Sequence, residues 1–221
     1  MDHSSFMEQV RNKLANRKER LVNRNNLNDP KEGAVLFPLL YAPDEEIHLL
    51  LVKRSNQMRN NPGDMAFPGG KLDLGETPIE GALREAEEEV GIKPNQVKIL
   101  GTMDEYVSRN HTVVRAVVGA IEVNPSGNLR EWAERVFAPK TEENLVTLVI
   151  PLSHFLNPQV YSSKKYIGSN NRVGYIRYFD ISEYLPTEKV WGLTATIIRR
   201  FADLFFAHQL PEEPLTQGIQ S

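Results

Sequence analysis

The chain contains no cysteine among its 221 residues. This absence excludes disulfide bridges, thiolate zinc sites and cysteine nucleophiles, and it suits a reducing compartment. Apolar runs long enough to span a bilayer are also missing. The net charge of −3 gives no overall positive field that would attract nucleic acid. We therefore predict a cytoplasmic protein, or one of an organellar matrix, that binds neither membranes nor nucleic acid.

The composition, 40% hydrophobic and 25% charged, is sufficient to bury one good core. We divide the chain into an N-terminal helix with its linker (1–32), a main domain (33–208) and a mobile tail (209–221). The N-terminal helix carries an apolar stripe, which leaves a homodimer open because the sequence offers the stripe no obvious partner. The residues of this stripe are Phe6, Val10 and Leu14.

The apolar patterns of the main domain predict strands and helices in an irregular order. The predicted strands span 34–41, 47–53, 97–102, 112–121, 145–151 and 171–179, and the predicted helices span 77–90, 128–137 and 191–208. A short polar turn separates the first two strands, so we expect them to pair. This mixture is typical of an α/β (α+β) fold in which helices flank a mixed sheet.

The segment 77–91 is the most informative part of the chain. Thr77 suits a helix N-cap, Pro78 suits the first helical position, and Gly91 suits the end of the helix. Like charges three or four residues apart on a helix repel by about 0.2–0.5 kcal/mol per pair, so a helix that collects them favours a neutralising cation. The charges concerned are Glu85, Glu87, Glu88 and Glu89.

On a helical wheel, Glu85, Glu88 and Glu89 share one face about 100° wide, and that face borders the apolar side of the helix. Half-buried carboxylates suit a hard cation such as Mg²⁺ or Mn²⁺. Mg²⁺ usually takes only one or two protein carboxylates and completes its shell with water and phosphate, which points to a phosphate substrate. The glycine turn before the helix lets the backbone approach, so the Gly70 carbonyl is a further candidate ligand. The alternative interpretation is a solvated acidic helix.

The spacing around these glutamates is more specific than their number. It reads Gly-x5-Glu-x7-Arg-Glu-U-x-Glu-Glu-x-Gly-U, where U is aliphatic, and it resembles the signature of the Nudix hydrolases. Ala86 is smaller than the usual aliphatic residue, a departure that affects helix packing rather than metal ligation. The matching residues are Gly70, Glu76, Arg84, Glu85, Glu88, Glu89, Gly91 and Ile92.

This resemblance implies an α/β/α sandwich in which the signature forms a loop–helix–loop. It also implies hydrolysis of a diphosphate linked to another group, with Mg²⁺ or Mn²⁺ as cofactor. Glu85, Glu88 and Glu89 are then the catalytic metal ligands, the first and the last being the strongest candidates. Arg84 and Glu76 are implied to orient those carboxylates.

The segment 50–70 resembles the pattern Leu-Leu-Thr-x-Arg-Ser-x3-Arg-x3-Gly-x3-Phe-Pro-Gly-Gly of the coenzyme A diphosphatase branch, with Val52 in place of threonine. Coenzyme A carries a diphosphate and a separate 3′-phosphate, so its site needs cations besides the metal. The candidates are Arg54, Arg59 and Lys71, and the alternative is that they are ordinary surface charges. The implied products from coenzyme A or acyl-coenzyme A are 4′-phosphopantetheine and adenosine 3′,5′-bisphosphate.

Two other functions remain open. One is a Nudix diphosphatase that acts on ADP-ribose, NADH or another nucleoside diphosphate derivative. The other is a catalytically silent binding module, against which the intact set of glutamates argues. Glu143 falls where the family carries a glutamate ahead of a strand, so it is a candidate general base or extra ligand. Its neighbour Glu142 could replace it, and a solvated loop acid is the alternative.

Overall fold

The structure, a computed structural model, describes residues 2–27, 29–58, 61–167 and 173–213. The chain forms two compact units, Met1–Pro151 and Leu152–Ser221. The domain bounds given above remain a prediction, and most of the predicted mobile tail, residues 214–221, lies outside the described residues. Over the described residues, every helix is too short or too polar to traverse a lipid bilayer.

Among its described residues, the first unit contains seven strands and three α-helices. They are α1 (His3–Asn16), β1 (Lys31–Tyr41), β2 (His48–Arg54), β3 (Met65–Ala66), β4 (Gly69–Lys71), α2 (Pro78–Val90), β5 (Lys98–Val107), β6 (Thr112–Glu122), α3 (Leu129–Val136) and β7 (Asn144–Pro151). Short 3₁₀ turns at Arg24–Asn26 and Pro94–Gln96 complete the described elements of this unit.

The strands form one mixed sheet with the order β3–β2–β1–β6–β5, in which β4 also pairs with β1 and β7 pairs with β2. β1 and β6 are parallel along their whole length, and the other pairs are antiparallel. Leu39 lies opposite Leu49, which confirms the predicted pairing of the first two strands. The predicted α/β (α+β) fold with a mixed central sheet is therefore confirmed.

Helices cover both faces of this sheet. α2 and α3 contribute Ala86 and Leu129 to a buried cluster that also contains Leu36 and Leu40 of β1. Alternate residues of a strand point to opposite faces, so Tyr41 belongs to the other face. α1 lies on that face, because the rings of His3 and Tyr41 are 5.3 Å apart and T-shaped. The result is the expected α/β/α sandwich.

The apolar stripe of α1 packs inside the first unit. Phe6, Val10 and Leu14 are all buried, and Leu14 lies against the backbone of Gly101. The stripe therefore has a partner within its own unit. The buried stripe is therefore no argument for a homodimer. The homodimer stays a prediction.

The second unit is smaller. It contains a 3₁₀ turn (His154–Leu156), β8 (Tyr161–Ile167), β9 (Val173–Asp180), β10 (Lys189–Trp191) and α4 (Gly192–Phe205), and its antiparallel sheet has the order β10–β9–β8. The sequence analysis missed β8, because its residues after Tyr161 are exposed and lack an apolar alternation. α4 and β9 occupy most of the segments predicted as helix and strand.

An ion-paired carboxylate on β5 gives the first unit an acid-sensitive element. The side chain of Glu105 is only 5% exposed and accepts hydrogen bonds from Arg24 Nη1 at 2.6 Å and from the Val22 backbone N–H at 2.9 Å. Burial alone would raise the pKa of Glu105, but these bonds and Arg115 lower it to about 2. A lowered pKa in the folded state means stability that is present at neutral pH and lost as the pH falls from about 4.5 through about 2.

We expect Glu105→Gln to lower the free energy of unfolding at neutral pH by about 3 kcal/mol. At about pH 3 the difference between the variant and the wild type should fall to less than half of that value. Urea unfolding of both proteins at the two pH values measures the difference. An equal difference at both would show that Glu105 does not titrate in this way.

Candidate active site

The signature helix is defined by its own caps. The Glu80 backbone N–H donates to Thr77 Oγ1 at 3.3 Å, and the Thr77 backbone N–H donates to Glu80 Oε2 at 2.8 Å, which forms a capping box. Gly91 ends the helix in the left-handed conformation with φ 75°. The predicted start and end of α2 are confirmed, and they fix which side chains face the sheet.

The three predicted ligands show graded burial along one edge of α2. Glu89 is 4% exposed, the side chain of Glu85 is half-buried, and that of Glu88 is 57% exposed. Glu87 faces away and pairs with Lys93 at 2.6 Å. This order follows the wheel described above, in which the acidic face borders the buried Ala82, Ala86 and Val90.

Glu89 is a buried carboxyl that accepts few hydrogen bonds. The Gly69 backbone N–H donates to its Oε2 at 3.2 Å. Burial raises the pKa of Glu89 to about 7, although the Asn144 amide, the Gly69 N–H and the charge of Arg54 each lower it. A carboxyl with this pKa is protonated for a substantial fraction of the time near neutral pH, so a cation that binds it competes with a proton.

Glu85 lies directly against the glycine turn. A Cβ placed on Gly70 would lie 2.3 Å from Glu85 Oε1, so only glycine leaves room for the carboxylate there. Burial raises the pKa of Glu85, Arg84 lowers it, and the charges of Glu88 and Glu143 raise it further. Glu143 is exposed, and its charge acts on Glu85; its role as a general base or ligand stays a prediction.

Arg84 holds the acidic residues in place. Its Nε donates to Glu76 Oε1 at 2.9 Å, and its Nη1 donates to Glu85 Oε1 at 3.1 Å and to Glu88 Oε2 at 3.2 Å. Its Nη2 donates to the Lys71 carbonyl at 3.0 Å. The structure thus joins Arg84 and Glu76 to the carboxylates that they were predicted to orient.

The donor set fits a hard divalent ion. Glu85 and Glu89 lie one helical turn apart, both partly or fully buried, next to a glycine turn that a side chain would obstruct. Carboxylate oxygens in such a position are the ligands that Mg²⁺ and Mn²⁺ prefer. Across the described ranges, no three acidic or histidine side chains lie close enough together to form a metal site as they stand. Glu85 and Glu88 are hydrogen-bonded to Arg84.

The other predicted residues are placed as follows. Arg54 ends β2 opposite Asn144, and its charge acts on Glu89. Lys71 ends β4 and is exposed. Arg59 lies outside the described residues. The Gly70 carbonyl lies on the β1 side, 2.7 Å from the position of a Cβ on Gly33. Its role as a ligand stays a prediction.

The sequence analysis missed Asn144, a buried residue beside Glu89. The sequence predicts a strand over 145–151, whereas β7 begins at Asn144. A polar residue at the start of a strand is an ordinary turn signal. Only the pairing of β7 with β2 shows that this residue faces Arg54.

A family model described as the NUDIX domain matches residues 30–154, more than half of the chain. The chain belongs to the Nudix hydrolase family. Members of this family hydrolyse nucleoside diphosphate derivatives and generally use divalent metal ions. The matched region contains the whole acidic site described above, together with β1 to β7.

Two Nudix relatives and one solved structure illustrate the similarity. The mouse "Peroxisomal coenzyme A diphosphatase NUDT7" is 37% identical over 133 residues, which are 60% of this chain and 52% of the mouse protein. The chain thus spans about half the length of that relative. The "Uncharacterized Nudix hydrolase NudL" of Yersinia enterocolitica is 34% identical over 193 residues, 82% of this chain and 89% of that protein.

The solved structure is the MutT protein of Methanosarcina mazei Go1, with a TM-score of 0.41 and 24% identity over 58% of this chain and 83% of that chain. This score is too low to add to the assignment. Membership in the Nudix family rests on the family model and on the Yersinia relative, of which the chain covers 89%.

Proposed function

We propose that this Nudix hydrolase cleaves the diphosphate of coenzyme A or acyl-coenzyme A, to give 4′-phosphopantetheine and adenosine 3′,5′-bisphosphate. The observation that carries the proposal is the position of Arg54. This arginine belongs to the upstream pattern of the coenzyme A branch, and it ends β2 near enough to the buried Glu89 for its charge to act on that carboxyl. The printed name of the mouse relative supports the same substrate class.

In this proposal, Glu85 and Glu89 hold a Mg²⁺ or Mn²⁺ ion, with Glu88 as a third ligand and the Gly70 carbonyl as a further one. The bound ion would neutralise charge on the diphosphate and make an attacking water more acidic. Arg84 keeps the acidic side chains in position through the bonds described above. Removal of such supporting contacts typically reduces metal affinity or activity by about 10–100-fold.

The remaining residues act on the water and the substrate. Glu143 is exposed and close to Glu85, so it is positioned to accept a proton from the attacking water. Arg54, Arg59 and Lys71 bind phosphate oxygens of coenzyme A, where arginine offers bidentate hydrogen bonds. In the proposed site, the metal would therefore bind at the diphosphate, and the arginine and lysine side chains would bind the remaining negatively charged phosphate oxygens.

The test is metal-dependent turnover of coenzyme A beside ADP-ribose and NADH, with products identified by mass spectrometry. We expect coenzyme A or an acyl-coenzyme A to give the highest kcat/KM. Arg59→Ala should raise the KM for coenzyme A by roughly 10–100-fold, because a charged hydrogen bond contributes about 1.5–3 kcal/mol. The matched control is Arg11→Ala, since Arg11 pairs with Glu8 on an exposed helix face away from the signature.

Two outcomes would contradict the proposal in different ways. If Arg59→Ala left coenzyme A turnover unchanged while Glu89→Gln abolished it, the metal site would stand and the substrate assignment would be wrong. If ADP-ribose or NADH were the best substrate of the wild-type protein, the alternative Nudix diphosphatase activity would replace the proposed one.

A further inference from the structure

Several buried polar groups around Arg54 and Asn144 make no hydrogen bond of normal geometry among the described residues, although the Asn144 amide lies near enough to Glu89 to lower the pKa of that carboxyl. They are Nε of Arg54, Oγ1 of Thr141 and both amide atoms of Asn144. A buried polar group without a partner destabilises a protein by about 1–3 kcal/mol, so each such group in a folded protein needs an explanation. These groups all lie around the start of β7. Further along the same strand, the buried Thr147 donates a hydrogen bond to the Phe137 carbonyl at 2.7 Å.

Backbone contacts bring Asn144 opposite Arg54 and bring the turn before it to the end of α2. Asn144 begins β7 and lies directly opposite Arg54, at a point where the register of the strand pair shifts. The Ser55 N–H donates to the Glu143 carbonyl at 2.7 Å, which secures this end of the pair. The Lys140 N–H donates to the Glu89 carbonyl at 2.8 Å, which ties the preceding turn to the end of α2.

The unsatisfied atoms are chemically complementary. Nε of Arg54 carries one N–H donor, and the amide of Asn144 offers an oxygen acceptor at one end and two N–H donors at the other. The Glu89 carboxylate accepts the Gly69 N–H at Oε2 and has further lone pairs available. Directly opposed side chains of an antiparallel pair lie close enough to bond after small rotations about their side-chain torsions.

We propose that Asn144 is a positioning residue for the metal site: its amide accepts a hydrogen bond from Arg54 Nε and donates one to the Glu89 carboxylate, and so holds that carboxylate in place for a divalent ion. The role rests on the proposed function only through the metal site and not through the choice of substrate. Arg54 then contributes through its Nε to the metal site, while its two terminal nitrogens remain for phosphate.

The test uses Mn²⁺ binding to the full chain without substrate, measured from the electron paramagnetic resonance signal of free Mn²⁺. Asn144→Leu keeps the volume of the side chain and removes the amide, so it should fold as stably as the wild type. We expect it to bind Mn²⁺ about 10–100-fold more weakly. If that variant does not fold, Asn144→Ala provides the same measurement.

Thr147→Val is the matched control in the same strand. It removes a buried hydrogen bond and should lower the melting temperature by roughly 2–4 °C while leaving Mn²⁺ affinity unchanged. A folded Asn144→Leu protein with wild-type Mn²⁺ affinity would overturn the proposal. A wild-type protein that binds no Mn²⁺ would overturn it together with the metal site.

A double-mutant cycle tests the link to Arg54. If Arg54 and Asn144 act as one chain, Arg54→Met should weaken Mn²⁺ binding, and the double variant should lose hardly more than either single variant. Additive losses would show that the two side chains act separately. Because coenzyme A is absent, failure of the wild type to hydrolyse coenzyme A would refute the substrate assignment without affecting these results.

Discussion

Replacing Glu89 with glutamine is expected to lower kcat by about 10³-fold, which corresponds to about 4 kcal/mol of lost transition-state stabilisation. The buried carboxylate is the proposed ligand with the most restricted surroundings, since it is 4% exposed and hydrogen bonds to the Gly69 backbone. Glutamine keeps the shape of the side chain and removes the negative charge that the metal requires. Steady-state kinetics at saturating Mg²⁺ measure the loss.

The same substitution should stabilise the metal-free protein at alkaline pH. Burial raises the pKa of Glu89 from 4.5 to about 7, so the folded state favours the protonated form. The stability associated with that form is complete below the unfolded pKa and is lost as the pH rises through about 7. Glutamine does not ionise, so the advantage of the variant should grow by about 2 kcal/mol between about pH 5.5 and about pH 8.5.

Urea unfolding in the presence of a chelator measures this difference. Addition of Mg²⁺ should stabilise the wild type and not the variant, because a ligand that binds only the folded state shifts the unfolding equilibrium. The control is Glu87→Gln, since Glu87 faces away from the site and pairs with Lys93. Activity of Glu89→Gln above about a tenth of the wild-type value would refute Glu89 as a metal ligand.

The features predicted correctly from the sequence are those set by local chemistry. The caps of α2 at Thr77 and Gly91 depend on neighbouring residues alone, and the helical period is enough to place Glu85 and Glu89 on the edge of the buried face. The pairing of β1 with β2 could also be predicted from the sequence, because a short turn joins two apolar runs.

The features that were missed depend on distant parts of the chain. Asn144 reaches Glu89 because β7 pairs with β2, and no local pattern specifies that partner or its register. The packing of α1 on the sheet is a similar case, since its apolar stripe is visible in the sequence whereas the surface that buries it is not. β8 was missed for the opposite reason, because backbone pairing with β9 holds a strand whose side chains are mostly exposed.

Gly70→Ala is expected to lower activity strongly and to change stability little. The added Cβ would lie 2.3 Å from Oε1 of Glu85 and 2.5 Å from its Cδ, closer than side-chain atoms can approach. Because these atoms end a flexible side chain, the carboxylate can move aside while the backbone stays in place. A displacement of about 1 Å in a catalytic group can reduce the rate by about 10²-fold, so we expect a loss of that size in kcat.

The melting temperature of Gly70→Ala should change little, and Gly127→Ala should show the reverse behaviour. Gly127 has φ 99° and no atom within 4 Å of an added Cβ, so alanine there meets backbone strain but no neighbour. That strain should lower stability by about 1–2 kcal/mol and leave kcat unchanged. Kinetics and thermal unfolding of both variants test the pair. If Gly70→Ala kept most of its activity, Glu85 would not need its position against the glycine turn, and the metal site would have to be assigned to other oxygen atoms.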